Sequence, residues 1–329
     1  MKTWLITGGC GFIGRNLVKK LIANDDANIL VLDNLSVGSL NALREISELD
    51  VSDLEAGFNE EFSKLTFVKG DILDKEIVNF CAEKADYIIH LAANTGVAPS
   101  VKDPFYDCHT NILGTLNLLD AAKEFDVERF IFASSGAPLG AQSPPLHEEL
   151  ATKPASPYGA SKLAGEGYCS AYYHSFNVNT VCLRFGNVYG GLSETKDSIV
   201  AKFIKCSFSG VDFEIYGNGN QTRDFIYIED LISAIISAVR APNVGGEVFQ
   251  IASAKELSVN ELIVEIQSAL MRYNLNAVNI VDGEVRVGDV MRNYSNTTKA
   301  NKLLNWEALE TIETGLEKTV MYFKHNLGE

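Results

Sequence analysis

The stretch TWLIT at residues 3–7 is an apolar run of strand length that ends directly on GGCGFIG. The segment after it, FIGRNLVKKLIAN (12–24), carries its apolar residues at helical spacing. A strand that feeds a helix through a glycine loop has few places to go. The helix must fold back over the sheet, and the next strand must pair in parallel with the first. That next strand is NILVLD (28–33), and it ends on an acid, Asp33, nineteen residues beyond Gly14.

The same alternation continues. LTFVKGD (65–71), DYIIHLAA (86–93), RFIFASS (129–135) and TVCLRF (180–185) are short, nearly continuous apolar runs, as strands buried on both faces require. YDCHTNILGTLNLLDAAKEF (106–125) reads as one helix between two of them. The fold expected is α/β: a doubly wound parallel (Rossmann) sheet with a second, smaller α/β lobe that binds substrate. Residues 1–185 form the sheet domain, to which strand and helix near 223–252 return, and 186–222 with 253–329 form the second lobe. SELDVSDLEAGFNEEFSK (47–64) is acidic, weakly patterned and reads as a surface insertion.

Gly8, Gly11 and Gly14 are spaced G-x-x-G-x-x-G at the start of the helix. Glycine lets backbone turn tightly and approach a pyrophosphate, which the positive end of a helix favours. A carboxylate at Asp33 would accept from adenosine ribose hydroxyls and repel a 2′-phosphate, so the dinucleotide expected is NAD.

The 329 residues hold 28 basic and 43 acidic side chains, a net charge of −15. That balance argues against nucleic acid and against an anionic membrane surface as partners. No run approaches the ~20 apolar residues of a membrane span. Cys10, Cys81, Cys108, Cys169, Cys182 and Cys206 are scattered without a CxxC pair, and the five histidines show no metal-ligand spacing. A reduced cytoplasmic protein with no metal site is expected.

ASPYGASKLAGEGY (155–168) places Lys162 four residues after Tyr158. At that spacing the two side chains share a helix face, and an ammonium there favours the phenolate. The pattern alone also suits a surface tyrosine beside a surface lysine.

TGGCGFIG, DNLSVG, GDILD (70–74), HLAA (90–93), Asn111 in NILGT, the Ser-Ser of FASSGAP and YGASK, taken in order, resemble the extended short-chain dehydrogenase/reductase family. Within it the chain is most similar to nucleotide-sugar epimerases of the UDP-glucose 4-epimerase group, from residue 3 to beyond residue 300. The resemblance implies that Tyr158 is the catalytic base, its pKa lowered by Lys162 and by the nicotinamide charge. Lys162 would also hold the nicotinamide ribose, and Ser135 would bond the sugar's 4-oxygen, with Ser134 its neighbour. It implies a cofactor site of Gly8, Gly11, Phe12, Ile13, Gly14, Asp33, Asn34, Asp71, Ile72, Leu91, Ala92, Ala93 and Asn111, together with Tyr158 and Lys162. Asn111 would support Lys162 and its water network.

For the substrate the resemblance implies Asn187, Arg223 and Arg286 at the nucleotide diphosphate, Asp289 at its ribose and Tyr216 at the base. Arginines offer fixed forks for phosphate in a chain that is otherwise acidic. Asn293 aligns with the position facing the sugar's C2 substituent, where a small side chain would admit an N-acetyl group or make no contact. The reaction implied is epimerisation at C4 of a UDP-hexose or UDP-N-acetylhexosamine through a 4-keto intermediate. Alternatives are net C4 oxidation or reduction, dehydration, decarboxylation, and NAD binding without catalysis.

Gly136 and Ala137 stand where 4,6-dehydratases carry Asp-Glu, which disfavours dehydration. Gly191-Leu192-Ser193-Glu194 replaces the Pro-Arg-Gln-Arg run of hexuronate epimerases, and Glu194 would repel a substrate carboxylate. Pro138 and Leu139 stand where valine and tyrosine are common, at the expected border of the sugar pocket. A homodimer is implied through the helix from about 103 to 124 and the one beginning near Tyr158, with Leu113, Leu116, Leu118 and Leu119 as apolar surface shared with the core.

Overall fold

The computed structural model describes residues 1–24, 27–48, 50–52, 64–284 and 290–327. Its contacts divide the chain into two compact units. The first comprises Met1–Gly140, Ala151–Arg184 and Ile235–Phe249, the second Ala141–Leu150, Phe185–Ala234 and Gln250–Glu329.

The first unit is built on an eight-stranded sheet. Seven strands are β1 (Lys2–Thr7), β2 (Ala27–Asp33), β3 (Asp50–Ser52), β4 (Leu65–Lys69), β5 (Tyr87–His90), β6 (Arg129–Ser135) and β7 (Thr180–Phe185). The strand Glu247–Ile251 lies beside β7, and the order from that edge is β7, β6, β5, β1, β2, β4, β3. β1 pairs in parallel with β2 on one side and β5 on the other, and β2–β4, β3–β4 and β5–β6 are parallel too. The apolar runs are strands because both their faces are covered. Leu5, Ile6, Ile29, Leu30, Phe67, Ile88, Ile89, Phe130 and Phe132 are all at most 1% exposed.

The chain therefore runs outward from β1 to one edge and then restarts beside β1 with β5. The carboxyl ends of β1 and β5 form the point where strand order reverses, the place where doubly wound sheets bind ligands. The first helix, Phe12–Asn24, follows β1 as the periodicity indicates. The 20-residue helix Pro157–Phe176 starts where Ser156 accepts from Gly159 N–H, with Pro157 in its first turn, and stops at Asn177 in the left-handed region.

Two elements differ from the sequence expectation. Residues 106–125 are not one regular helix. Pro104–Cys108 leads into a π-helical turn, His109–Leu113, before Gly114–Glu124. A single wide turn leaves no trace in hydrophobic spacing, because it shifts the periodicity by only one residue. Within the acidic stretch 47–64, Asp50–Ser52 forms the edge strand β3, while 53–63 lie outside the described residues.

The second unit holds short paired strands. Asn187–Tyr189 runs parallel to Phe225–Tyr227, Phe213–Tyr216 parallel to Ile280–Gly283, and Thr222–Arg223 antiparallel to Leu257–Ser258. Helices Ile199–Ser209, Val259–Arg272 and Ile312–Leu327 supply its core, including Phe203, Leu262, Ile266, Leu316 and Phe323. Among the described residues no helix is long and apolar enough to cross a membrane.

Candidate active site

The glycine loop is packed so closely that side chains would not fit. Gly8 has φ +70, and a Cβ there would lie 2.8 Å from the Ala92 nitrogen. A Cβ on Gly14 would meet the Gly8 carbonyl oxygen and the Gly9 Cα at 2.5 Å each. The loop thus sits against the end of β5, where Leu91, Ala92 and Ala93 follow, and the first turn of the helix sits against the loop. Phe12 is buried and Ile13 half-buried in that turn.

At the end of β2, Asp33 is 9% exposed. Its Oδ2 accepts from Cys10 N–H at 2.9 Å and its Oδ1 from Leu35 N–H at 2.8 Å. Burial pushes this carboxyl up from its ordinary range, and the two backbone donors pull the other way. Each oxygen keeps acceptor capacity after one bond. Asn34 donates to Asp71 Oδ2 at 2.9 Å, which brings the ends of β2 and β4 together. The Ile72 side chain is turned into the core against Gly114, so any contact it makes with a base goes through its main chain.

The catalytic candidates converge at the end of β6 and the start of helix Pro157–Phe176. Tyr158 and Ser135 are half-buried, and Lys162 is 4% exposed. Burial pushes the Tyr158 phenol up to about 12, opposed by a hydrogen bond with the Ser135 hydroxyl, and the charge of Asp107 adds to the rise. Lys162 is pushed down to about 8 by burial, with Asp107, Cys169 and Glu166 holding it up in that order. Its ammonium donates to the Ala133 carbonyl at 2.9 Å and lies 5.9 Å from the centre of the Tyr158 ring. Burial is thus the largest influence on this phenol, and the nicotinamide charge that the resemblance invokes beside Lys162 would act against it.

Asn111, in the π turn, does not bond Lys162. Its amide nitrogen donates to Asp107 Oδ1 at 3.1 Å, Ser161 Oγ at 3.1 Å and the Asn94 carbonyl at 3.0 Å, and its oxygen accepts from Asn94 N–H at 2.8 Å.

In the second unit, Asn187 is exposed and pairs with Phe225. Tyr216 ends its strand with the Lys202 ammonium 6.0 Å above its ring. One terminal nitrogen of Arg223 donates to the Thr222 and Val290 carbonyls at 2.7 and 2.6 Å. Asn293 is half-buried, its N–H 3.4 Å from Thr222 Oγ1. Arg286 and Asp289 lie outside the described residues. Leu139 is fully buried and Pro138 buried in a short turn, so both serve packing.

A sequence model of the NAD-dependent epimerase/dehydratase family matches residues 4–252. The chain belongs to this family. It is 32% identical to a UDP-glucose 4-epimerase of Mycolicibacterium smegmatis over 98% of both chains. Its fold matches a UDP-N-acetylglucosamine 4-epimerase from Methanobrevibacter ruminantium, solved in complex with UDP-N-acetylmuramic acid, with a TM-score of 0.87, 30% identity and 99% of each chain covered. A UDP-glucuronic acid 4-epimerase from Bacillus cereus, solved with UDP-glucuronic acid and NAD, matches at 0.86 and 28% identity over 98% of this chain and 99% of that one. The doubly wound reading of the sequence is borne out by these likenesses.

This member of the epimerase/dehydratase family has a second layer of polar groups that the sequence reading missed. Glu166, one turn beyond Lys162, accepts from Ser134 Oγ at 2.6 Å and is forked by Arg184 Nε and a terminal nitrogen at 2.8 Å each. Glu166 and Arg184 are 5% and 4% exposed. Asp107 is 1% exposed and stands one turn before Asn111. Both carboxylates were visible as i, i+4 partners of named residues, a spacing that places them on the same helix face.

Proposed function

We propose that this chain interconverts UDP-hexoses or UDP-N-acetylhexosamines epimeric at C4. The observation that carries the reading is the Ser135–Tyr158–Lys162 group: a phenol hydrogen-bonded to a serine at a strand end, with a buried ammonium four residues along the same helix. The glycine cradle at Gly8 and Gly14 and the carboxylate of Asp33 suit a dinucleotide, with Gly11, Phe12, Ile13, Asn34, Asp71, Ile72, Leu91–Ala93 and Asn111 as further cofactor contacts.

Tyr158 takes the proton of the sugar's 4-hydroxyl, and Ser135 holds that oxygen in line with the phenol. The dinucleotide that the Gly8–Gly14 loop and Asp33 would hold would supply a hydride acceptor and donor for C4, and its positive charge would favour the phenolate. Lys162 stabilises the same phenolate, and Tyr158 gives the proton back when the alcohol reforms. A positioned base of this kind contributes about 10²–10⁴-fold.

In the second unit we assign Asn187, Arg223 and Arg286 to the diphosphate, Asp289 to the ribose, Tyr216 to the base and Asn293 to the C2 substituent. The carboxylate of Glu194, which accepts from the Tyr322 hydroxyl at 3.1 Å, disfavours a hexuronate.

We further propose a cytoplasmic homodimer. Phe105 and Tyr106 are 80% and 50% exposed, Leu113 is 43% and Phe176 51%. They lie on the helices through which the resemblance pairs two subunits. Leu118 and Leu119 are fully buried and belong to the core instead.

Proton NMR of UDP-N-acetylglucosamine or UDP-glucose with purified protein and no added NAD tests the reading. The galacto anomeric signal is expected, and Tyr158→Phe should retain NAD while losing turnover. NADH accumulation without epimer would instead mean net C4 oxidation, and full turnover by Tyr158→Phe would remove the assignment of the base.

A further inference from the structure

His90, the last residue of β5, has no part in the proposed reaction. It is 1% exposed and stands between two threonines. Its Nδ1 is 2.8 Å from Thr7 Oγ1 and its Nε2 3.0 Å from Thr115 Oγ1. What those hydroxyls do elsewhere fixes the ring's tautomer. Thr115 donates its one proton to the Asn111 carbonyl at 2.6 Å, so the hydrogen shared with His90 must sit on Nε2. Thr7 Oγ1 accepts from Ala92 N–H at 3.2 Å, which leaves its own proton for Nδ1.

The result is a chain of bonds pointing one way: Ala92 N–H to Thr7, Thr7 to His90, His90 to Thr115, Thr115 to the main chain of Asn111. Phe130 and Phe132 flank the imidazole with ring centres 6.2 and 5.8 Å away. Burial and the charge of Lys162 push His90 down to about 3, so the ring stays neutral at any working pH. The ends of the chain matter more than its middle. Thr7 immediately precedes Gly8, and its carbonyl also accepts from Leu91 N–H at 3.1 Å. Ala92 N is the atom against which Gly8 is packed. At the other end, Asn111 holds the π turn whose side chain ties Asn94, Asp107 and Ser161 together.

We propose that His90 is a positioning residue: as the neutral Nε2–H tautomer it fixes the Asn111 carbonyl relative to the Ala92 amide, so that the dinucleotide loop and the Tyr158–Lys162 layer hold one register. The proposal rests on the epimerase reading only where its test measures turnover.

A histidine that merely fills space needs neighbours of the right shape, whereas a positioning histidine needs their hydroxyls. Thr115→Val keeps the branched shape and drops the hydroxyl, and Thr115→Ser does the opposite. If His90 positions, Thr115→Ser stays within about twofold of the parent in kcat, and Thr115→Val loses about 10–100-fold with KM for the UDP-sugar little changed. If it only packs, the serine variant is the poorer one and the proposal fails. Bound NAD, measured after purification, should follow the same order, serine above valine; the reverse order overturns the proposal even in a protein that does not epimerise. On the unmutated protein, ¹H–¹⁵N correlation of the histidine rings should show His90 as a single Nε2–H tautomer that does not titrate from pH 5 to 9. A ring that titrates in that range, or carries its proton on Nδ1, overturns the proposal whatever the variants do.

Discussion

Glu166→Gln changes one oxygen for an NH₂ group in a site with almost no access to water. The Arg184 guanidinium then faces an amide donor where it faced a carboxylate, at a pair 5% and 4% exposed. Removing one partner of a buried ion pair costs about 3–5 kcal/mol, because the remaining charge is still desolvated. With an unfolding entropy of about 2.1 cal/mol/K per residue, a chain of this length unfolding as one should lose roughly 4–7 °C of Tm. Glu166→Gln/Arg184→Met removes both charges at similar volume and should recover most of that loss. The single variant also weakens the hold on the Lys162 charge, to which Glu166 contributes after Asp107 and Cys169. Lys162 should therefore deprotonate at lower pH, and the alkaline fall in kcat should begin earlier. Differential scanning calorimetry and a pH–rate profile measure both effects. A loss under about 1 °C, or a double variant no better than the single one, would show that the fork carries no net coupling and refute the reasoning.

Lys162 titrates near 10.5 when unfolded and is pushed down to about 8 in the fold. The unfolded chain therefore holds the proton more tightly between those values, so stability of the cofactor-free protein should rise from pH 8 toward 10.5. Against Lys162→Met, urea titrations should show a differential gain of about 3 kcal/mol over that window, absent below pH 8. Gly14→Ala forces a Cβ to 2.5 Å from backbone atoms that cannot yield, and should cost about 1–3 kcal/mol and most of the bound NAD. Gly167→Ala, on a helix with nothing within 4 Å, should leave NAD bound and raise stability by about 0.5–1 kcal/mol; urea midpoints compare the two. Phe105→Asp, at a side chain 80% exposed, should turn the proposed dimer into a monomer in sedimentation, and a variant that still sediments as a dimer would remove Phe105 from the interface.

The sheet was legible because a strand covered on both faces has no choice but to be apolar throughout, and six such runs stand out between helical patterns. The start of the Tyr158 helix has a local cause, since Ser156-Pro157 is a cap followed by a residue already set for the first turn. The turn at His109–Leu113 was not legible, because what holds it is Asn111 reaching Asn94 and Ser161, residues 17 and 50 positions away. Nor was the extent to which Tyr158 is desolvated. Spacing shows that a lysine is near, but only the fold shows how much water is gone, and burial is the first cause of the rise on this phenol. The threonines around His90 read as ordinary strand and helix residues, since only pairing across β1, β5 and the following helix brings them together.

Buried polar groups weaken a fold unless each finds its partner, and this unit places several in the same region. Glu166 is matched by Arg184 and Ser134, Asn111 by three acceptors and a donor, and His90 by two hydroxyls. Each set links elements far apart in sequence, so none can shift without leaving a partner unsatisfied at a cost of about 1–3 kcal/mol. An apolar interior would tolerate small slides between helix and sheet at little cost, because dispersion has no direction. The groups left half-buried, Ser135 and Tyr158, are those to which the proposed reaction assigns chemistry. They sit on elements locked by this directional layer, which would let a half-open pair meet the proposed sugar hydroxyl in one orientation.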